Sequence, residues 1–212
     1  MHPKLGVYND VFMYNRGMFY IVALGNPGEK YQDTRHNVGW QAIDHCLYAW
    51  QLPQLVESGG LSGRLTEGVV AGEEVTVLYP TTFMNNSGSA VKKLVPKGEE
   101  LNLIVVHDDI DLPLGEIKVV AGRGAGGNNG VSSIIGKLGT KDFVRVRVGI
   151  APKSFWTGKT KRPAGGGPLE RFVLKPFTKS EQKQLPELFV RVQAAVEAIL
   201  SDGVKIAMNR HN

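Results

Sequence analysis

The sequence holds a single cysteine, Cys46, so no disulfide can close within the chain. Its setting in the apolar stretch Ile43, Cys46, Leu47 is that of a packed thiol, and the cytoplasm is the simplest compartment for such a chain. Long apolar runs are missing as well. None approaches the roughly 20 residues that a bilayer-spanning helix needs, and residues 1–17 (MHPKLGVYNDVFMYNRG) lack the continuous apolar core of a signal peptide. The expectation is a soluble chain that is not exported. A large excess of charge of one sign is missing too. Lys and Arg number 25 against 20 Asp and Glu, which leaves +5 and a pI near 9.3, a surplus that favours polyanions without demanding them. No internal repeat is visible. What is present, 42% hydrophobic residues over 212 positions, suffices for the core of one compact domain.

Met18 stands directly before the apolar run Phe19 to Leu24, which makes 1–17 a leader and 18–212 the domain. The leader reads either as an upstream extension, with translation starting at Met18, or as an ordered arm. Beyond it, strand-like runs at 18–24, 61–70, 74–79, 101–107, 115–120 and 143–150 alternate with helical periodicity at 38–50, 87–95, 130–138 and 178–201. That order predicts an α/β domain, a sheet with helices on its faces. Thr178 and Glu181 form a capping box at the start of the last helix, and Pro186 should kink or interrupt it. Residues 152–168 (PKSFWTGKTKRPAGGGP) have no periodicity and read as a surface loop, with closure over a substrate as a hypothesis from composition.

Four polar clusters follow strand ends or open helices. The first is Gly25-Asn26-Pro27-Gly28, continuing through Tyr31, Arg35, His36 and Asn37. In open α/β sheets ligands bind at this edge, and His36 has the one side chain there able to take a proton near neutral pH. Asn37 as a helix cap would set His36 beside a positive helix end, which disfavours the imidazolium. The bland reading is a Gly/Pro turn with a structural histidine. The second cluster, Thr81 to Gly88, offers Asn85 to a developing oxyanion, with Phe83 and Met84 as an apolar wall; alternatively Asn86 or Ser87 only caps a helix. In the third, His107-Asp108-Asp109, a carboxylate could orient His36. The same triplet invites a metal, but no second His/Cys cluster stands at ligand spacing.

The fourth cluster is the glycine-rich loop Gly122 to Gly130 before a helix. It lacks the Lys-Ser/Thr ending of a phosphate-binding loop and the spacing of a dinucleotide fingerprint, so a nucleotide-dependent enzyme is disfavoured. Asn128 or Asn129 could bind a ribose or a carbonyl, or simply cap. Lys118, Lys137, Arg145 and Arg147, with Lys153, Lys159, Lys161 and Arg162 of the loop, could line a phosphate-binding face; solvated surface charge is the alternative.

Taken in order, IVALGNPGEKYQDTRHNVGW, PTTFMNNSG, VVHDDIDLPLGEIKV, GAGGNNG and DFVRVRVGI resemble the bacterial-type peptidyl-tRNA hydrolase family. The likeness runs from about Met18 to the end, through RFVLKPFTKSE and DGVKIAMNRHN. It implies a single domain around a mixed twisted sheet flanked by helices, a monomer, no metal or organic cofactor, and peptidyl-tRNA as substrate. It also implies His36 as base, Asp108 as its orienting acid, and Asn26, Tyr31, Met84, Asn85 and Asn129 as substrate-binding positions. Lys118 and Arg147 match a clamp for tRNA phosphate. Two positions depart from the family pattern. Asn128 replaces a histidine in the GGHNG motif, and Val120 replaces one of two lysines spaced two apart on a strand, which predicts weaker or differently placed phosphate contacts. The rival within this resemblance is a non-catalytic RNA-binding relative of the intron-splicing type. Retention of His36, Asp108, Asn26 and Asn85 favours catalysis.

Overall fold

Strand β1, Phe19–Ala23, is the pivot of the sheet: all five residues are buried, and with Leu24 they alternate between two cores. Phe19, Ile21 and Ala23 pack on one face, Tyr20, Val22 and Leu24 on the other. A run that is apolar at every position suits a strand covered on both sides. The computed structural model describes residues 17–152, 160 and 163–212. The leader expected at 1–17 lies outside these apart from its last residue, as do Lys153, Lys159, Lys161, Arg162 and much of the expected loop at 152–168.

After β1 come α1 (Val38–Ala49), β2 (Val56–Ser58), β3 (Gly63–Val70), β4 (Glu73–Pro80), α2 (Ser87–Leu94), β5 (Leu103–Pro113) and β6 (Ile117–Ala121). Then follow α3 (Asn129–Leu138), β7 (Val144–Ala151), α4 (Gly167–Val173), α5 (Lys179–Gln182), α6 (Leu185–Asp202) and α7 (Val204–His211). The strands form one sheet in the order β2-β3-β4-β1-β5-β7-β6. β1 pairs parallel with both β4 and β5, and β5 parallel with β7, while the outer pairs are antiparallel. The architecture is therefore α/β with a mixed sheet. Helices α1, α6 and α7 cover one face through Val38, Ile43, Val192, Ile199 and Ala207; α2 and α3 cover the other through Val91, Val131 and Ile134. No helix among the described residues is long and apolar enough to cross a membrane.

Three elements were not foreseen. β2 is a three-residue edge strand with largely exposed side chains, too short for a period to register. α4 begins inside the stretch read as loop, and α7 buries only Val204 and Ala207. α7 is pinned instead by Asn212, whose amide accepts from Val119 N at 2.7 Å and donates to Val119 O at 3.0 Å. The last expected helix is split: the Thr178–Glu181 capping box starts α5, and a new helix starts at Leu185. Pro186 sits in the first turn of α6, where its missing N–H costs nothing. β5 also runs six residues beyond its expected end, because its parallel pairing with β7 continues through Asp109 and resumes at Pro113 after an irregularity.

Candidate active site

β1, β4 and β5 lie side by side and parallel, so their carboxyl ends open on one crevice where the chain connections diverge. The segments leaving β1 and β4 carry Asn26 and Met84 with Asn85, and β5 itself carries Asp108, two residues past the end of its pairing with β1 at Val106. Alternation along β5 sets Asp108 on the same face as Ile104 and Val106, the side covered by α1, and His107 and Asp109 on the opposite side. His36 lies on the 3-10 turn Arg35–Asn37 that leads into α1. It meets Asp108 from that side.

His36 Nδ1 lies 2.9 Å from Asp108 Oδ2, and the side chains are only 12% and 5% exposed. Since a carboxylate only accepts, Nδ1 carries the hydrogen and Nε2 is left with a lone pair. Burial alone would lower the pKa of His36, but the Asp108 charge and hydrogen bond together outweigh it and hold the imidazole above its ordinary 6.5. This reverses the expectation from the helix end. A full carboxylate charge in contact acts more strongly than the partial charge of a helix terminus. Asn37 occupies the cap position without capping. Its side chain grips Asn26 instead, accepting from Asn26 N and donating to Asn26 O, both at 2.9 Å.

Asn26 Oδ1 in turn accepts from Met84 N at 2.8 Å. Asn26 lines the crevice, and its amide nitrogen, opposite the bonded oxygen, has no hydrogen-bond partner among the described residues. Two glycines permit this crowding. A Cβ on Gly25 would stand 2.8 Å from the Trp40 ring, and one on Gly130 would stand 2.5 Å from Met84 Sδ. Asn85, on the turn Met84–Asn86, and Asn129, the first residue of α3, are exposed, and their side-chain amides make no hydrogen bond among the described residues. Tyr31 meets Phe83 edge to face, ring centroids 6.4 Å apart.

Asn26, Tyr31, His36, Met84, Asn85, Asp108 and Asn129 all line one cavity of about 620 Å³. Its far wall was not foreseen: Leu169, Glu170 and Val173 of α4 complete it. That wall is tied to the histidine segment by Arg35, which donates to Lys175 O, Pro176 O and Glu181 Oε2 at 3.1, 2.8 and 2.6 Å. Nothing local in the sequence marks Arg35 for this role, because its partners are some 140 residues away.

Lys118 and Arg147 line a second, smaller cavity of about 350 Å³ with Arg123 and Arg145; the two cavities share Ala125 and Gly126. Val120, which departs from the family's lysine, lines it too. Arg145 is buried, and its pKa falls to about 10 through that burial and the neighbouring Arg147. Arg147 Nε donates to Asp109. Lys137 lines neither cavity and is exposed on the last turn of α3. Among the described residues no group of three or more His, Cys, Asp or Glu is arranged to hold a metal ion.

A family model described as peptidyl-tRNA hydrolase matches residues 20–212. Curated proteins of that name are similar over nearly the whole chain. The one from Thermodesulfovibrio yellowstonii is 38% identical, covering 92% of this chain and 99% of its own. The one from Herpetosiphon aurantiacus is 42% identical, covering 92% and 90%. Among solved structures, the peptidyl-tRNA hydrolase of Acinetobacter baumannii superposes with a TM-score of 0.80 at 26% identity, over 94% of this chain and 97% of that one.

Proposed function

The chain belongs to the peptidyl-tRNA hydrolase family, and we propose that His36 and Asp108 are the pair with which it does its chemistry. Its activity is hydrolysis of peptidyl-tRNA, cleaving the ester between the peptide and the 3′-terminal ribose and so recycling the tRNA for translation. The non-catalytic RNA-binding reading finds no support among the relatives described.

His36 Nε2 takes a proton from water as the water oxygen attacks the ester carbonyl carbon. Asp108 holds the other ring nitrogen, fixes the tautomer and stabilises the imidazolium that forms. The same proton then passes to the ribose 3′ oxygen as the carbonyl–oxygen bond breaks. Charge builds on the carbonyl oxygen, to which the Asn26 amide nitrogen and the Asn85 amide donate; that both residues line the cavity and that Asn26 Oδ1 is held by Met84 N supports this reading. Tyr31, Met84 and Asn129 hold the aminoacyl end and the terminal nucleotide. Lys118 and Arg147, in the adjoining recess, take tRNA phosphate. The protein acts as a cytoplasmic monomer, with 18–212 as the hydrolase domain.

The observation that carries this reading is the 2.9 Å His36–Asp108 contact inside a cavity also lined by Asn85 and Asn129, whose side-chain amides make no hydrogen bond among the described residues. Its test is hydrolysis of N-acetyl-aminoacyl-tRNA by wild type and Asp108→Asn. The amide cannot accept from Nδ1–H with a carboxylate's strength, so the variant loses about 10²- to 10⁴-fold in kcat if Asp108 holds the base. Equal rates would remove Asp108 from the mechanism.

A further inference from the structure

The side-chain amide of Asn128 is committed at both ends. Its Oδ1 accepts from Gly130 N at 3.0 Å and Val131 N at 3.1 Å, capping α3. Its Nδ2 donates to Asp108 Oδ1 at 2.8 Å and reaches Asp108 O at 3.3 Å. The orientation is not interchangeable. Backbone N–H groups can only donate, so the oxygen must face α3 and the NH₂ must face the carboxylate. Asp108 Oδ2 is the oxygen that receives His36 Nδ1. The acid is thus held by one oxygen from a helix terminus and presents the other to the histidine.

We infer that Asn128 is the positioning residue of the hydrolytic pair: it fixes the plane of the Asp108 carboxylate so that Oδ2 meets His36, and limits how tightly that carboxylate holds the imidazolium. This rests on His36 being the base, as proposed above. A hydrogen bond to one oxygen stabilises the carboxylate charge and leaves the other oxygen a weaker proton acceptor. Without Asn128, Asp108 would be free to turn, and when aligned it would hold a protonated His36 more firmly. An amide serves at every pH because it has no proton to lose or gain in the working range.

Other charged or titratable groups near His36 have their own environments. His107, the preceding residue on β5, is buried and neutral near pH 7, its pKa driven to about 4 chiefly by that burial, with Nδ1 donating to Asp108 O. Asp109 is paired with Arg147 of β7, and Arg35 with Glu181. Glu170 of α4 lines the same cavity from its exposed rim.

Two variants separate capping from positioning. Asn128→Ser keeps an oxygen for the α3 N–H groups, since serine caps as well as asparagine, but is too short to donate to Asp108. Asn128→Ala loses both functions. The expected result is a melting temperature near wild type for the serine variant and lower for alanine. In both, the plateau kcat on N-acetyl-aminoacyl-tRNA falls about ten- to a hundredfold, as for loss of a hydrogen bond to a charged group, with KM little changed. NMR titration of the His36 ring should show its pKa moved up in both. Asn128→Thr gives the same contrast if the serine variant is unstable. Wild-type kcat and an unmoved His36 titration in a folded Ser or Thr variant would overturn the proposal. His36→Ala, run in parallel, separates the two readings: if it is inactive while Asn128→Ser is normal, only this inference fails, and if it is active, the assignment of the base fails.

Discussion

Asn26 Oδ1 accepts a 2.8 Å hydrogen bond from Met84 N, and so the turn after β4 fixes the orientation of the amide that follows β1. Asn26→Asp keeps that bond, because an oxygen still faces Met84 N. It loses the amide donor and adds negative charge where the oxyanion forms. The expected result is a fall in kcat/KM of about 10²- to 10³-fold with little change in melting temperature. Steady-state kinetics beside thermal unfolding would show it. Activity within a few-fold of wild type would mean that Asn26 does not meet the oxyanion.

The pH profile follows from the direction of the His36 shift. The base works deprotonated, and Asp108 holds its pKa above 6.5, so the acid limb of kcat/KM lies above 6.5 in wild type. Asp108→Asn leaves burial as the dominant influence, and the limb moves to lower pH while the plateau drops. The same shift has a stability consequence. A raised histidine pKa stabilises the fold fully below 6.5, and the benefit fades as pH rises through the folded value. Wild type should therefore exceed Asp108→Asn in stability most clearly at mildly acid pH. Urea unfolding at several pH values measures that difference.

Arg35 bridges the histidine turn and the chain after α4. It is buried, its guanidinium lies over Phe172 and Phe177, and it donates to Glu181 and two backbone carbonyls. Arg35→Ala strands those acceptors and should cost about 3 kcal/mol in urea unfolding. Because α4 forms one wall of the cavity, KM should rise more than kcat falls. A stability loss below about 0.5 kcal/mol, the range of ordinary surface substitutions, would show that the bridge is not needed.

The second cavity predicts a salt signature. Lys118→Ala should flatten the dependence of log KM on log salt by about 0.7–0.9, the slope lost with one phosphate contact, and adding Arg147→Ala should flatten it further. The single Arg147 variant also leaves Asp109 without its cation, so some loss of stability accompanies it. A slope as steep in the double variant as in wild type would place the tRNA elsewhere.

The central strands were legible because β1 and the first part of β5 are apolar at every position. That the candidate residues would line one cavity was legible because polar clusters at strand ends in an α/β order fall together in three dimensions. The sequence did not convey how the asparagines are spent. Asn37 and Asn128 both read as caps; Asn128 caps and also holds Asp108, whereas Asn37 does not cap and clamps Asn26. Position along a helix determines the chance of capping, but the partner of an amide depends on which distant backbone arrives beside it. The same holds for Arg35 and for α4, which sets Leu169, Phe172 and Val173 on one face but whose seven residues are too few for a helical period to register beside the Gly- and Pro-rich stretch before it. Arg147 shows the converse. Strand alternation placed it on the same face as Arg145, but nothing in the sequence joins it to Asp109.

The most direct test is release of a labelled N-acetyl-aminoacyl group from tRNA by wild type and His36→Ala, with unblocked aminoacyl-tRNA as the control substrate. If His36 is the base, wild type releases the blocked group rapidly and spares the unblocked one, while the variant melts like wild type and turns over about 10²- to 10⁴-fold more slowly. Undiminished release by a folded His36→Ala protein would contradict the account.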